Sequence, residues 1–408
     1  MVHYVNRPCY CTRDDLRRAL DVTLSSSSDD RLDRAIVAAA EACEALTQRK
    51  FHMMDTTASF DWPNFQYAYP WNLYLDNWEL AATPTLVVTG SLLPSPITIP
   101  TSNYILQPVN DGPPFTWLEL RRDLNSAFGY NPTPQNDIAI TGTFGYWAKT
   151  RAAGTATALI GSGDATVSVS DSSLIGVGDT LIADSERMIV YDMKYADTGS
   201  GFVSGITTAS ASDNVGVVSS GAAFDIGEVL LVDFEWMQIQ NIVGNNLVVK
   251  RGYGGSILAT HSGGDIWARR TVNVLRGQLG TTAASHSNGV TLAVAEVPGL
   301  IRQLAIAEAE VWLTQETGAY SIQTGGLGSG TSMGIAVGQS GGGEARVSQP
   351  GSGISDLRDR VYNSKYTRKM RTRVILCNGC RTFSGWTICP DRTTGSGPVS
   401  DLTSRRSP

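Results

Sequence analysis

The 408 residues contain no run of apolar residues approaching the roughly 18–20 that a membrane span needs. The opening MVHYVNRPCYCTRDD has no apolar signal-peptide core, so the expectation is a protein made and kept in a cytoplasm. Charge is scarce: Asp, Glu, Lys and Arg make up 17% of the chain, against about a quarter in an ordinary soluble protein. The balance is mildly acidic, a formal −6, which disfavours a general nucleic-acid binder that works by neutralising phosphates. Cysteine is too thin for a disulfide framework, with six residues at 9, 11, 43, 377, 380 and 389.

What fills the space is glycine, 42 residues of it, together with many Ser and Thr. That is the profile of a β-rich chain with many turns. It suits an assembly subunit, because surface covered by neighbours needs fewer charges to stay in solution.

Helical signals come first. Thr12 with Asp15 three residues later has the form of a capping box, and a second stretch from Asp29 or Asp30 places Leu32, Ile36, Ala39, Ala40 and Cys43 on one face. From Thr56 to Ala148 short apolar runs are broken by Pro, Gly and Asn, as in PTLVVTGSLL, SPITIP, NYILQP, FTWLELRR and NDIAITGTFGYW, which read as strands of one small sheet. Between Phe60 and Trp78 lie three Trp and three Tyr, either a local packing cluster or a protein-contact surface.

An internal repeat occupies residues 155–292. GDTLIADSERMIV at 178–190 recurs as GEVLLVDFEWMQI at 227–239, an offset of 49, whereas VKRGYGGSILATHSGG at 249–264 recurs as VLRGQLGTTAASHSNG at 274–289, an offset of 25. Tandem copies would keep one offset. The order of first half, first half, second half, second half implies that one unit, about 196–271, is nested in a loop of the other, with strands near 179–190 pairing strands near 272–292. Each unit is expected to be a small β-barrel or sandwich.

A helix is expected after Pro298, with Leu300, Leu304, Ala307 and Val311 on one face, ending near Thr317-Gly318. Residues Gly325 to Gly353 hold eleven glycines in 29 positions, a linker or arm. A short helix around Ile354 to Tyr362, a basic run, a hairpin around Asn378-Gly379 and a polar tail complete the chain. The fold class is therefore α+β: a small helical core with a β-sheet, interrupted by a pair of nested small β-barrel or sandwich modules, plus a flexible C-terminal arm. Its parts are 1–154, 155–292, a core helix in 293–323, a linker at 324–353 and the arm at 354–408.

Candidate chemistry is sparse. His261 and His286 occupy equivalent places in the two units, which argues for a shared structural task such as a turn histidine bonded to backbone rather than a metal or catalytic role. Arg251 and Arg276 stand ten residues ahead of them, as turn braces or partners in an inter-subunit salt bridge. Asp184 with Glu186, and Asp233 with Glu235, share a strand face by period-2 spacing, facing solvent or a cation; nothing positions a substrate between them. Cys377-x-x-Cys380 with Cys389, and Cys9-x-Cys11, give a weak zinc signal, beside the alternatives of a disulfide formed after lysis and free thiols. The glycine-rich segment lacks the Lys-Ser or Lys-Thr of a phosphate-binding loop. No catalytic residues, metal or cofactor are expected, and the chain is read as no enzyme.

Two amphipathic helices ending in LTQRKF, the NYIL and WLEL strands, the closing ITGTFGYW, and after an interval VPGLIRQLAIAEAEVWL, a Gly-rich loop and a helix ending in the basic YTRK run form an ordered series. It resembles the head-to-tail adaptor, or connector, family of tailed bacteriophages, particularly phages of actinobacteria, over roughly residues 10–150 and 292–370. The resemblance implies a virion neck protein assembled in the host cytoplasm. It implies a homo-oligomeric ring, commonly twelve-fold, between the portal protein and a stopper or tail-completion protein, with genomic DNA passing through the lumen. Arg358, Arg360, Lys365, Arg368, Lys369, Arg371 and Arg373 give the segment 356–373 seven basic residues against two Asp and are then the expected portal-docking site. The β-modules, with thirteen acidic and seven basic residues, are expected to project outward. The alternatives are another tail or baseplate subunit, or a glycan-binding β-module protein.

Overall fold

In the computed structural model the described residues are 4–20, 29–63, 70–146, 148–317 and 352–367, with the short strands 381–383 and 386–388. The chain forms two units, Met1–Arg368 and Lys369–Pro408. The class is α+β with β-barrels.

The expected capping box opens α1 (Arg13–Leu20): the Thr12 amide donates to Asp15 Oδ2 and the Asp15 amide to Thr12 Oγ1, each at 3.1 Å. In α2 (Asp29–Thr47) the anticipated stripe Leu32, Ile36, Ala39, Ala40 and Cys43 is fully buried. Arg13 is buried with it and makes a bidentate bond to Asp33, both contacts at 2.7 Å.

The segment expected to form one sheet forms two. β1 (Met54–Phe60) precedes β2 (Asn72–Tyr74), followed by β3 (Leu86–Thr89), β4 (Ile97–Thr98), β5 (Tyr104–Gln107), β6 (Trp117–Leu120) and β7 (Ile138–Phe144). The order is β1-β7-β3-β4 in one sheet and β2-β6-β5 in the other. Alternation explains the split: Ala58, Phe60, Val87, Ile138 and Ile140 from the first and Leu73, Tyr104, Leu118 and Leu120 from the second point into one shared core. Leu80 bridges Phe115 of one layer and Phe144 of the other. The aromatic stretch is a packing cluster among the described residues, with Trp62 against Phe128, Trp78 edge-on to Phe144 and Arg122 over Trp71.

Then come β8 (Thr150–Thr155), β9 (Thr166–Ser168), β10 (Thr180–Ala183), the long β11 (Glu186–Ser204), β12 (Val215–Val218), β13 (Val229–Val232), β14 (Glu235–Val243), β15 (Asn246–Lys250), β16 (Asp265–Leu275) and β17 (Thr291–Ala295). Their pairing has the nested order that the unequal offsets implied. The first half of β11 pairs the second half of β16, from Ile189↔Leu275 to Lys194↔Thr271, and its second half pairs the first half of β16, from Ala196↔Ala268 to Gly201↔Asp265. An outer barrel runs β8-β17-β10-β11-β16-β9 and closes through Ala156↔Val169. An inner barrel runs β11-β16-β13-β14-β15-β12 and closes through Phe202↔Val218. Each has six strands in equivalent order, and they share β11 and β16. The outer barrel begins at Thr150 and ends at Ala295, slightly wider than the expected 155–292, because β8 and β17 pair each other as its entry and exit.

α3 (Gly299–Thr317) follows directly on Pro298, whose carbonyl accepts the Arg302 amide. The buried face is Ile301, Leu304, Ala305 and Ala309, turned from the expected Leu300, Leu304, Ala307 and Val311. Apolar residues surround this helix, so periodicity alone leaves its orientation open. The small Ala305 and Ala309 share a core with Ala35 and Ala39 of α2, against which α3 packs. α4 (Ser352–Tyr362) packs on α2 and α3.

The outer barrel and the helices share one hydrophobic core, while the inner barrel has its own, built from residues such as Phe202, Leu230, Met237 and Leu247. In the second unit β18 (Arg381–Phe383) pairs β19 (Trp386–Ile388) with Phe383 opposite Trp386. This pairing flanks residues 384 and 385, not the expected Asn378-Gly379, which lies outside the described residues, as do the glycine-rich segment 318–351 and the tail.

Candidate functional site

The repeated residues converge on one arrangement, built twice. In the inner barrel Arg251 Nε and Nη2 donate to the two carboxylate oxygens of Glu235, each at 2.6 Å, and both side chains are 0% exposed. The Gly252 and Ala259 amides donate to the same carboxylate. His261 lies between two acids, Nε2 at 3.0 Å from Glu235 and Nδ1 at 2.8 Å from Asp233. In the outer barrel Arg276 holds Glu186 through two 2.7 Å bonds, the Gly277 and Ala284 amides donate to it, and His286 stands 2.9 Å from Glu186 and 2.8 Å from Asp184.

Local structure fixes these positions. Asp184 and Asp233 occupy the turns between paired strands in the left-handed region, φ 52° and 53°, which Asp tolerates. Each histidine pairs through its backbone with an isoleucine earlier in its barrel, Ile160↔His286 and Ile206↔His261. The guanidinium groups also tie down carbonyls: Arg251 donates through Nη1 to Thr208 and Asp213 and through Nη2 to Ala259, and Arg276 through Nη1 to Gly161 and Asp164 and through Nη2 to Ala284.

Two expectations are corrected here. The histidine side chains bond carboxylates, not backbone. The arginines act as the expected turn braces, each within its own barrel. Glu186 and Glu235 face neither solvent nor a cation, since five donors already occupy each carboxylate.

Burial would raise the Glu186 and Glu235 carboxyls, but the arginine, backbone and histidine hydrogen bonds outweigh it and bring each down to about 2. Burial would likewise lower the His286 imidazole, yet its bonds to Glu186 and Asp184 raise it above its ordinary value. Glu235 and Arg251 are closed to solvent. The arrangement is a clamp that ties the β10–β11 or β13–β14 turn to the arginine loop.

Of the expected docking residues, Arg358 is engaged by Glu308 through bonds of 2.5 and 2.6 Å, while Arg360 and Lys365 are exposed. The Lys365 carbonyl accepts bonds from Arg49 and from the Tyr146 hydroxyl, which fixes the chain leaving α4 against the rest of the unit. Arg368, Lys369, Arg371 and Arg373 lie outside the described residues, as do Cys377, Cys380 and Cys389. Cys9, Cys11 and Cys43 are free and buried, and burial pushes all three thiols well up, away from thiolate chemistry.

Asp137 and Asp15 are among the polar centres that escaped the sequence reading. Asp137 is fully buried and accepts from Thr89, Gly90, Gly129, Tyr130 and Asn131, holding two loops of the sandwich together. Asp15, besides its capping bond, accepts a bidentate Arg302 from α3 across 287 positions. The capping motif signals the first role of Asp15; no local pattern signals the second, or Asp137.

Comparison with models of protein families, with curated proteins and with solved structures gives no match for this chain.

Proposed function

We propose that this chain is a non-enzymatic virion protein, a head-to-tail adaptor whose ring links the portal to the stopper or tail and surrounds the DNA channel. One observation carries the reading. The two stretches that resemble adaptors, separated by the barrels, come together in a single core: α2 packs on α3 and α4, Arg302 bonds Asp15, and Arg31 and Arg34 reach Glu316. The barrels leave and re-enter through the paired strands β8 and β17, and the outer barrel packs into the same core as the helices. They are read as an insertion, a nested duplicated module set in a small helical core and sheet.

In the ring each subunit offers one face to a different face of its neighbour until rotation closes. Arg360 and Lys365, with Arg358 and the basic positions 368, 369, 371 and 373 beyond, dock on an acidic surface of the portal. In this reading the segment beyond Thr367 is an arm that engages the portal, which acts as the template for the ring. The barrels project away from the channel.

Cryo-electron microscopy of the neck of virions containing this chain tests the proposal. The expected result is a ring directly against the portal, residues after α4 climbing onto it and barrels at the outer rim. Density at the tail tip or on the capsid surface, or barrels lining the channel, refutes it.

A further inference from the structure

Where α1, the 172–179 loop of the outer barrel and the inner barrel meet, there is a cleft of about 470 Å³. Four arginines line it, Arg18, Arg151, Arg269 and Arg302, against two acids, Asp14 and Asp179. The adjoining cavity adds Asp15 and Glu296, so the positive excess belongs to the cleft itself.

The acids are already committed. Asp14 is held by Arg269 and Arg17, and Asp179 by Arg151 and the Gly176 amide. The arginines are not used up. Arg18 bonds through Nε and Nη2, Arg302 through Nε and Nη2, and Arg151 through Nη1 and Nη2, so each retains one nitrogen without a partner among the described residues. The same cleft is lined by Tyr253, which is 6% exposed and whose hydroxyl is buried without a hydrogen-bond partner. A buried hydroxyl left unpaired costs about 1–3 kcal/mol, so its persistence calls for a missing acceptor or donor. At the position equivalent to Tyr253, offset by 25, the outer barrel has Gln278, whose side chain bonds the Arg276 carbonyl, so the barrel does not require this unpaired group.

We infer that this cleft binds a small oxyanion of the phosphate class, free phosphate or a phosphate monoester, held by Arg18, Arg151 and Arg302 and by the Tyr253 hydroxyl. The chemistry fits: within the cleft four guanidinium groups stand against two committed acids, with one hydroxyl donor, in a space that takes a phosphate with a small organic group attached. Its place between the helices and both barrels means that an occupant would brace their junction. The inference is independent of the adaptor reading.

The test is calorimetric titration of the full chain with inorganic phosphate at matched ionic strength, with a chloride control, together with thermal melting. Phosphate is expected to bind and raise the melting temperature beyond chloride. Arg18→Gln is expected to weaken binding at least about tenfold, the loss of one charge-assisted bond. Tyr253→Phe, isosteric and safe for folding, is expected to weaken it as well. Tighter binding of glycerol 3-phosphate than of inorganic phosphate would identify a monoester as the occupant, and equal or weaker binding would identify free phosphate. Absence of binding, binding of acetate in preference to phosphate, or unchanged phosphate affinity in both variants would overturn the inference, the last leaving the Tyr253 hydroxyl as a water site.

Discussion

Replacing Glu235 with Gln tests the clamp where the structure makes it most demanding. The carboxylate accepts five hydrogen bonds, two of them from a guanidinium that is itself closed to solvent. An amide keeps one acceptor oxygen and turns an N–H₂ toward donors that have nowhere else to point, and Arg251 is left as a buried charge without its counter-ion. Breaking such a pair costs about 3–5 kcal/mol. The inner barrel has its own core, so the loss should be local: hydrogen exchange should quicken for amides between 206 and 268 while α2 and α3 stay protected. Glu186→Gln makes the same chemical change in the outer barrel, whose core is continuous with the helices, and there the loosening should spread to α2 and α3. A destabilisation by Glu235→Gln of less than about 1 kcal/mol, or identical exchange maps for the two variants, would refute the reasoning.

The clamps also set a pH profile. Glu186 and Glu235 are lowered from 4.5 to about 2 on folding, so their contribution is complete above 4.5 and lost as pH falls towards 2; urea midpoints should drop across that window, and less steeply in the Gln variants. His286 is raised, so its contribution is complete below about 6.5 and lost as pH rises through the folded value, a limb that His286→Gln should flatten. Thr12→Ala removes half of the capping box and should cost about 1 kcal/mol in chemical denaturation. Phe234 and Ile257 are 92% and 85% exposed on the inner barrel where the outer barrel carries the exposed Ser185 and Thr282, so Phe234→Ser and Ile257→Thr should each change stability by no more than about 0.5 kcal/mol; a larger loss would show that they pack.

The legible parts of the fold are those encoded locally or by repetition. Thr12 and Asp15 lie three residues apart and cap each other; the α2 stripe repeats at helical spacing; the duplicated phrases disclose the nesting because the offsets 49 and 25 differ. What was not legible depends on partners distant in the chain. The face of α3 packs on alanines of α2 some 265 to 275 positions earlier, and the two layers of the sandwich share a core whose residues come from strands far apart in the chain. The repeat identified Glu186, Arg276 and His286 as a set, yet not their geometry: strand alternation treats Asp184 and Glu186 as equals, whereas the turn at Asp184 sends one acid to the surface and the other inside.

The duplication bears on mechanics as well as on reading. Because β11 and β16 pass from one barrel into the other, the ladder between them is shared, and the barrels cannot separate without breaking the pairings on both sides of Lys194↔Thr271. The outer barrel is tied to the sandwich as well: the Asp55 amide donates to the Leu279 carbonyl, and Arg187 bonds Asp55 at 2.8 Å. Leu279 has φ 55°, and its counterpart in the inner barrel, Gly254, has φ 61°. The same turn therefore serves in one copy as a joint to the core, while in the other a glycine with Trp236 beside it replaces the leucine and the Arg187 equivalent. Force applied to the inner barrel is transmitted through two continuous strands into the outer barrel, and from there into the helices that share its core.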